Sequence, residues 1–193
     1  MPSKAAATFR KKHKPDPAYR TFTAADRKRL AGRLSEAMLA LLEADGWCSY
    51  DGQVIWLCDP DDWAEAGKAW LPRGKKTTDV IARSAFGELV AWDGKQFWLI
   101  LPHDLTRVSQ TADPEWLFGV EFQNPDFHFN AELAKETKAA RKACGDLSWD
   151  EMFNFAPALA LGGTRADAQL AREDARVALD ILHQLGPIQS IEI

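Results

Sequence analysis

The sequence has few of the residues that bind metals or form disulfides. Its 193 residues include three cysteines and four histidines, and neither a C-x-x-C nor an H-x-x-x-H pair occurs. An odd number of widely spaced cysteines in apolar surroundings is typical of buried free thiols in a reducing compartment. The sequence therefore predicts no metal site, no disulfide framework and a cytoplasmic location.

Long apolar runs and catalytic motifs are also missing. No apolar run approaches the roughly 18 residues that a membrane-spanning helix needs, and the first 14 residues contain no stretch of signal-peptide length. The esterase motif G-x-S-x-G does not occur, and Gly162-Gly163-Thr164 lacks the Gly-Lys-Ser/Thr of a phosphate-binding loop. We expect no membrane segment, no catalytic residue and no cofactor.

Charge is distributed unevenly along the chain. The formal net charge is −4, but residues 1–20 contain six Lys or Arg and one Asp, a balance of +5 that leaves −9 for residues 21–193. An acidic body suits a basic partner better than a nucleic acid. Residues 1–20 have few apolar side chains, and we predict that they form a basic, flexible N-terminal arm.

Residues 80–101 predict the centre of a β-sheet. Three apolar runs are separated by turns at Phe86-Gly87-Glu88 and at Asp93-Gly94, and an Asp-Gly pair between aromatic and β-branched runs is a strong hairpin signal. A second Asp-Gly pair, Asp51-Gly52, predicts a second hairpin. The run FWLIL (97–101) is apolar throughout, which indicates a strand that is covered on both faces.

Helix-start signals flank these strands on both sides. Most are side chains that can cap the first turn, in several cases with Pro or an acid just inside it; these are Thr23, Ser35, Asp59, Asp113 and Ser148. Two further helices are predicted to begin at Asn130 or Ala131 and at Asp174. Residues 155–163 look like a buried apolar segment stopped by two glycines, and residues 188–193 like an edge strand. The pattern predicts an α+β fold with a mostly antiparallel central sheet, helices packed on it, and two closely associated subdomains.

Several stretches resemble a known family. LSEAMLALLEADGWCSYDGQVIWLCDPDDW, within residues 29–63, is similar to a GAD-like domain, which has a helix ending in a Gly-Trp turn, a strand with Trp-Leu and then Asp-Pro-Asp-Asp-Trp. IARSAFGELVAWDG, MFNFAPALALGG and ARVALDILHQLG resemble the domain that usually follows it in immunity proteins of type VI secretion DNase toxins. One departure is Ala178 before Leu179, where many relatives have a His-Leu pair.

The resemblance implies a GAD-like domain over residues 21–76, an immunity-type C-terminal domain over residues 77–193, and no enzymatic activity. It implies a protein that binds a cognate toxin, a nuclease, and masks its active site or DNA groove. Because a nuclease presents a basic cleft to DNA, we expect acidic and aromatic residues to contact it; the candidates are Asp59, Asp61, Asp62, Trp63 and Glu65.

Two other classes of function stay open at this stage. One is a DNA-binding autoregulator that uses the basic arm and the Lys and Arg residues of the helix over residues 131–144. The other is an enzyme built on His103, which is followed by Asp104, or on His128, which lies between two phenylalanines.

Overall fold

The computed structural model describes residues 3–124, 126–127, 129–165 and 168–192. The α-helices are α1 (Lys4–Lys12), α2 (Ala24–Leu30), α3 (Glu36–Asp45), α4 (Ala64–Trp70), α5 (Pro114–Gly119), α6 (Ala131–Cys144) and α7 (Ala175–Gln184). The strands are β1 (Ser49–Tyr50), β2 (Ile55–Leu57), β3 (Asp79–Ser84), β4 (Leu89–Trp92), β5 (Phe97–Leu101), β6 (Thr106–Ser109), β7 (Glu151–Ala156), β8 (Gln169–Asp174) and β9 (Gln189–Ile191).

Seven strands form one sheet in the order β1-β2-β3-β4-β5-β6-β9. The first six pair antiparallel with their sequence neighbours, and β9 pairs parallel with β6 at the edge. Strands β7 and β8 form a separate antiparallel pair. The α+β prediction and the predicted edge strand are confirmed.

The central strands are buried on both faces, as their composition predicts. In β5, Phe97 and Leu99 join one core cluster, whereas Trp98 and Ile100 join a second one. Successive side chains of a strand point to opposite faces, so an uninterrupted apolar run supplies both clusters. Helices α1, α3, α5 and α6 pack into the first cluster, and α4 and α7 pack into the second.

The hairpin at Asp51-Gly52 is confirmed. Asp51, Gly52 and Gln53 all have positive φ, 56°, 71° and 72°, and they lie in a four-residue loop between the paired residues Tyr50 and Ile55, which is longer than the two-residue type I′ turn. Strand β2 then pairs with β3, with Leu57 opposite Ala82. The sheet therefore runs without interruption across the predicted domain boundary between residues 76 and 77.

The prediction of a flexible arm is wrong for residues 4–12, which form α1. Ser3 caps this helix, and Phe9 is fully buried among aromatic rings that include Tyr50 and Phe118. A short apolar stripe of Ala5, Ala6 and Phe9 anchors the helix. Its sparse apolar residues are sufficient because an aromatic pocket formed by distant parts of the chain receives them.

Two further local predictions are wrong. Ser148 does not start a helix: its backbone N–H donates to the Glu151 carboxylate at 2.8 Å, but the chain continues as β7. The cross-strand ladder with β8 replaces the helical hydrogen bonds that this local contact would start. The segment 155–163 is not a buried unit either, since Leu161 is 65% exposed.

Candidate protein-binding groove

The five residues predicted to bind a toxin lie at the start of α4, but they fall into two groups. Asp59 and Trp63 are each 3% exposed, and Asp61, Asp62 and Glu65 reach the surface. Helix α4 begins at Ala64 instead of after Asp59. The Asp59 carboxylate accepts a hydrogen bond from the Asp61 backbone N–H at 3.2 Å, which forms a turn before the helix.

Asp59 is the centre of a closed ion-pair network. Its carboxylate contacts Arg20 at 2.6 Å and Arg29 at 2.7 Å, while Asp61 pairs with Arg29 and with Arg33, the latter at 2.7 Å. Burial by itself would raise the pKa of Asp59, but the hydrogen bonds from Arg29 and Arg20 outweigh it and hold the pKa below its usual value. These carboxylates are ionised and already paired within the fold.

Trp63 belongs to the second core cluster. The Arg83 guanidinium carbon lies 5.4 Å from the centroid of the Trp63 ring and 4.7 Å from that of Trp56, so the two tryptophans provide a cation–π environment for a buried arginine. Arg83 also donates to the carbonyls of Ser84 at 3.0 Å and Trp149 at 2.7 Å. Burial lowers the pKa of Arg83 to about 10.

Helices α4 and α7 enclose a groove of about 410 Å³. Three of the predicted residues line it, and α7 adds a carboxylate and a guanidinium; the lining consists of Asp61, Asp62, Ala64, Glu65, Ala66, Ala69, Trp70, Arg176, Leu179 and Asp180. We call this feature the α4–α7 groove. Its rim is charged, and its walls consist of small or apolar side chains.

Three carboxylates of the groove are only weakly neutralised by the fold or are exposed to solvent. Burial, and then the neighbouring Asp59 charge, raise the pKa of Asp62, whose nearest cation is Arg20 at 3.8 Å. The Glu65 side chain is 87% exposed, and its one ion pair among the described residues is with Lys68, one helical turn away. Asp180 accepts a hydrogen bond from the neutral Gln184 at 3.0 Å. A cationic partner can therefore reach these groups.

Two further features concern the helices that form the groove. Val177 and Ile181, one turn apart on α7, are 58% and 51% exposed but lie outside the groove lining. Trp70 is fully buried, and its indole N–H has no acceptor among the described residues. A buried donor without a partner costs roughly 1–3 kcal/mol. The sequence gives no sign of Asp180, because only the tertiary fold places α7 beside α4.

The residues expected for an enzyme or for a DNA-binding protein are partly buried or paired within the fold. His103 is buried, its Nε2 lies 2.9 Å from the Phe86 carbonyl, and its pKa is lowered by burial; His128 lies outside the described residues. In the basic arm, Arg10 pairs with Asp45 at 2.8 Å, and Lys12 donates to the Gln123 carbonyl at 2.7 Å. Some of the charge expected to contact DNA is thus engaged within the protein.

The described part of the chain contains neither a metal-binding cluster nor a membrane-spanning helix. Over the described ranges, no three His, Cys, Asp or Glu side chains are grouped so that they could hold a metal ion. In the same part of the chain, none of the helices is both long enough and apolar enough to cross a membrane.

Comparison with known families decides the assignment. Residues 7–102 match the GAD-like domain, and residues 118–186 match the C-terminal domain of the type VI secretion immunity protein Tdi1. The chain therefore has the two domains of a type VI secretion immunity protein, a GAD-like domain followed by a Tdi1-type C-terminal domain. Helix α4 lies in the first matched region of this immunity protein and α7 in the second, so both regions contribute a wall to the α4–α7 groove.

A solved structure has the same fold. The crystal structure of Atu4351 from Agrobacterium tumefaciens superimposes on this immunity protein with a TM-score of 0.75 at 18% sequence identity, over 96% of this chain and 91% of that one. A search of curated proteins finds no match. At this identity the structural match establishes the fold alone.

Proposed function

We propose that this immunity protein neutralises a cognate type VI toxin, a DNase, by binding over its active site or its DNA groove. The observation that carries the proposal is the α4–α7 groove, an open acidic surface built jointly by the GAD-like region and the region that matches the Tdi1 C-terminal domain. An enzyme that acts on DNA needs a cationic surface to bind phosphates. An acidic protein can compete for that surface.

The charge of the whole molecule supports the same mode of action. Residues 21–193 carry a formal charge of −9, and long-range attraction between opposite charges accelerates encounter and orients the partners. Fast capture matters for immunity because each toxin molecule acts on DNA until it is bound. The protein then acts by stoichiometric occupation of a surface and not by turnover.

The candidate contact residues take different roles in this proposal. Asp62 and Glu65 contact the toxin from the rim of the groove, and Asp61, which is already paired with Arg29 and Arg33, holds the rim in place. Asp59 and Trp63 support them from below, because Asp59 fixes the turn before α4 and Trp63 packs that turn onto the second core cluster.

The test is co-expression with the product of the adjacent reading frame. We expect that product to stop growth when it is expressed alone, and this protein to restore growth and to co-purify with it. In vitro, DNA cleavage by the purified neighbour should fall linearly as this protein is added and should reach its floor at a fixed molar ratio. Death of the cells despite co-expression would contradict the proposal. Complete inhibition of the toxin by much less than a stoichiometric amount of this protein would also contradict it.

A further inference from the structure

We infer that the α4–α7 groove receives one helix of the toxin, and that this helix carries lysine or arginine side chains beside an aliphatic face. This inference rests on the proposed function and names the part of the toxin that is bound. It assigns to α7 a recognition role that the sequence does not indicate.

The shape of the groove fits a helix. Its two walls are themselves helices, and α4 contributes three alanines, Ala64, Ala66 and Ala69, beside the buried ring of Trp70. Short side chains allow the axis of a third helix to approach closely, since the distance between packed helices depends on the side chains at the contact. Helix-in-groove recognition uses such apolar channels.

The charge of the rim selects a basic helix. Four carboxylates and one guanidinium line the groove, and Asp180 has no cationic partner among the described residues. A helix with Lys or Arg on its flanks would place cations near Asp62, Glu65 and Asp180, whereas an acidic helix would be repelled. The partner's charge therefore determines binding as much as its shape does.

The apolar part of the groove selects an aliphatic face on the bound helix. Three alanines of α4 and Leu179 of α7 line it, and aliphatic side chains of a third helix can pack against such short and branched side chains. The exposed pair Val177 and Ile181 on α7 lies outside the groove lining, and the Trp70 indole N–H is buried within the fold, so the bound helix is not assigned to either.

The decisive measurement is the affinity for the purified product of the adjacent reading frame. Ala66→Trp fills the groove and Asp180→Lys reverses an exposed charge; we expect each to raise Kd by about tenfold or more. The matched controls are Ala139→Trp on α6 and Glu192→Lys near the C-terminus, both exposed and outside the groove, and they should stay within about twofold. Thermal unfolding identifies any variant that fails to fold.

The outcomes separate the two proposals. If the wild type binds and protects cells, and both groove variants bind equally well, the inference is wrong and the proposed function stands. If the wild type itself neither binds nor protects, the proposed function fails. A groove-dependent homodimer of the free protein in light scattering, with unchanged toxin binding, would assign the groove to a second copy and overturn the inference.

The helical, basic nature of the occupant needs its own measurement. Synthetic peptides that span each basic helix of the neighbouring product should include one that displaces the intact protein and gains helicity on binding. Replacing the lysines or arginines of that peptide with glutamine should abolish the displacement. Displacement by an acidic or non-helical segment would contradict the assignment.

Discussion

The sequence DPDDW contains two kinds of aspartate that differ only in what surrounds them. Asp59 contacts Arg20 and Arg29 within 2.7 Å, and its charge is used to fix the chain. Asp62 lies 3.8 Å from its nearest cation at the edge of the α4–α7 groove, and its charge remains available. A high density of acidic residues does not by itself identify a binding surface. The distance from each carboxylate to its nearest arginine shows whether its charge is available to a partner.

Trp63 and Glu65 differ in the same way as these two aspartates: one is buried within the fold and the other is open to a partner. Trp63 is a core residue, so its loss should affect folding, whereas Glu65 is exposed, so its loss should affect binding. Substitutions at the closed residues should change stability, and substitutions at the open residues should change affinity at constant stability. The following experiments test that separation.

The largest effect should come from Trp63→Ala. It removes a buried ring from the second core cluster and from the face of Arg83, so the free energy of unfolding should fall by about 3–5 kcal/mol. Urea unfolding followed by circular dichroism measures this. Trp116→Ala, at a side chain that is 48% exposed, is the control and should cost less than about 1 kcal/mol. Similar losses for both would contradict the core assignment of Trp63.

Asp59→Asn should have the next largest effect. It keeps the shape of the side chain but removes the charge that pairs with Arg20 and Arg29, and both arginines can recover hydration because they are 41% and 34% exposed. We expect a loss of about 2 kcal/mol in urea unfolding. Glu65→Gln is the matched control and should stay within about 0.5 kcal/mol. An equal loss for the two variants would remove the distinction between closed and open acids.

Acid should separate binding from stability. Asp26 joins the closed network through Arg29, at 3.0 Å. Its pKa is lowered from 3.8 to about 2, because hydrogen bonds from Thr23 and Arg29 outweigh its burial, and the pKa of Asp59 is lowered as well. A folded-state pKa below the unfolded one gives stability above pH 3.8 that is lost as the pH falls towards 2.

The pKa of Asp62 is raised instead, by burial first. This carboxyl takes up its proton above pH 3.8, so toxin binding should weaken at a higher pH than the one at which the fold is lost. Affinity and unfolding free energy measured in parallel between pH 7 and pH 2.5 test this order. Loss of both at the same pH would show that binding merely follows unfolding. Asp62→Asn should make the affinity less dependent on pH.

The smallest effect should come from Glu65→Gln on toxin binding. This carboxylate is exposed and shared with Lys68, so its contribution is a screened, long-range attraction worth about 0.5–1 kcal/mol. The association rate should fall by a few-fold at low salt, and the difference from wild type should vanish near 0.5 M salt. Stopped-flow mixing at several salt concentrations measures this, and a salt-independent difference would indicate a direct, desolvated contact instead.

Local sequence was a good guide wherever a short range of residues controls the backbone. The predicted caps at Thr23, Ser35 and Asp113 are present, each with its side chain bonded to a backbone N–H of the first turn. The helices predicted to begin near Asn130 and Asp174 also form, with these two side chains as caps. The positive φ at Gly52 and Gly94 ends the strands where the Asp-Gly pairs predict. These features depend on sterics and hydrogen bonds within a few residues.

Where the local sequence was compatible with two backbone conformations, contacts with distant residues determined which one formed. Ser148 and Glu151 form the hydrogen bond of a helix start, yet pairing with β8 extends the chain as a strand. The composition of α1 is typical of a solvated basic arm, but the contacts of Phe9 with the rings of Tyr50 and Phe118 hold it as a helix against the fold.

By itself, the amino-acid sequence determined the central antiparallel sheet, most helix starts, the acidic body and the resemblance to the immunity family. These follow from side-chain alternation, capping and composition, which act over short distances or as sums. Only the tertiary structure decided which aspartates are neutralised by Arg20, Arg29 and Arg33, and that Asp180 of α7 lies beside α4. Those facts depend on how residues more than 25 positions apart meet, because a charge is available to a partner only where the fold leaves it unpaired.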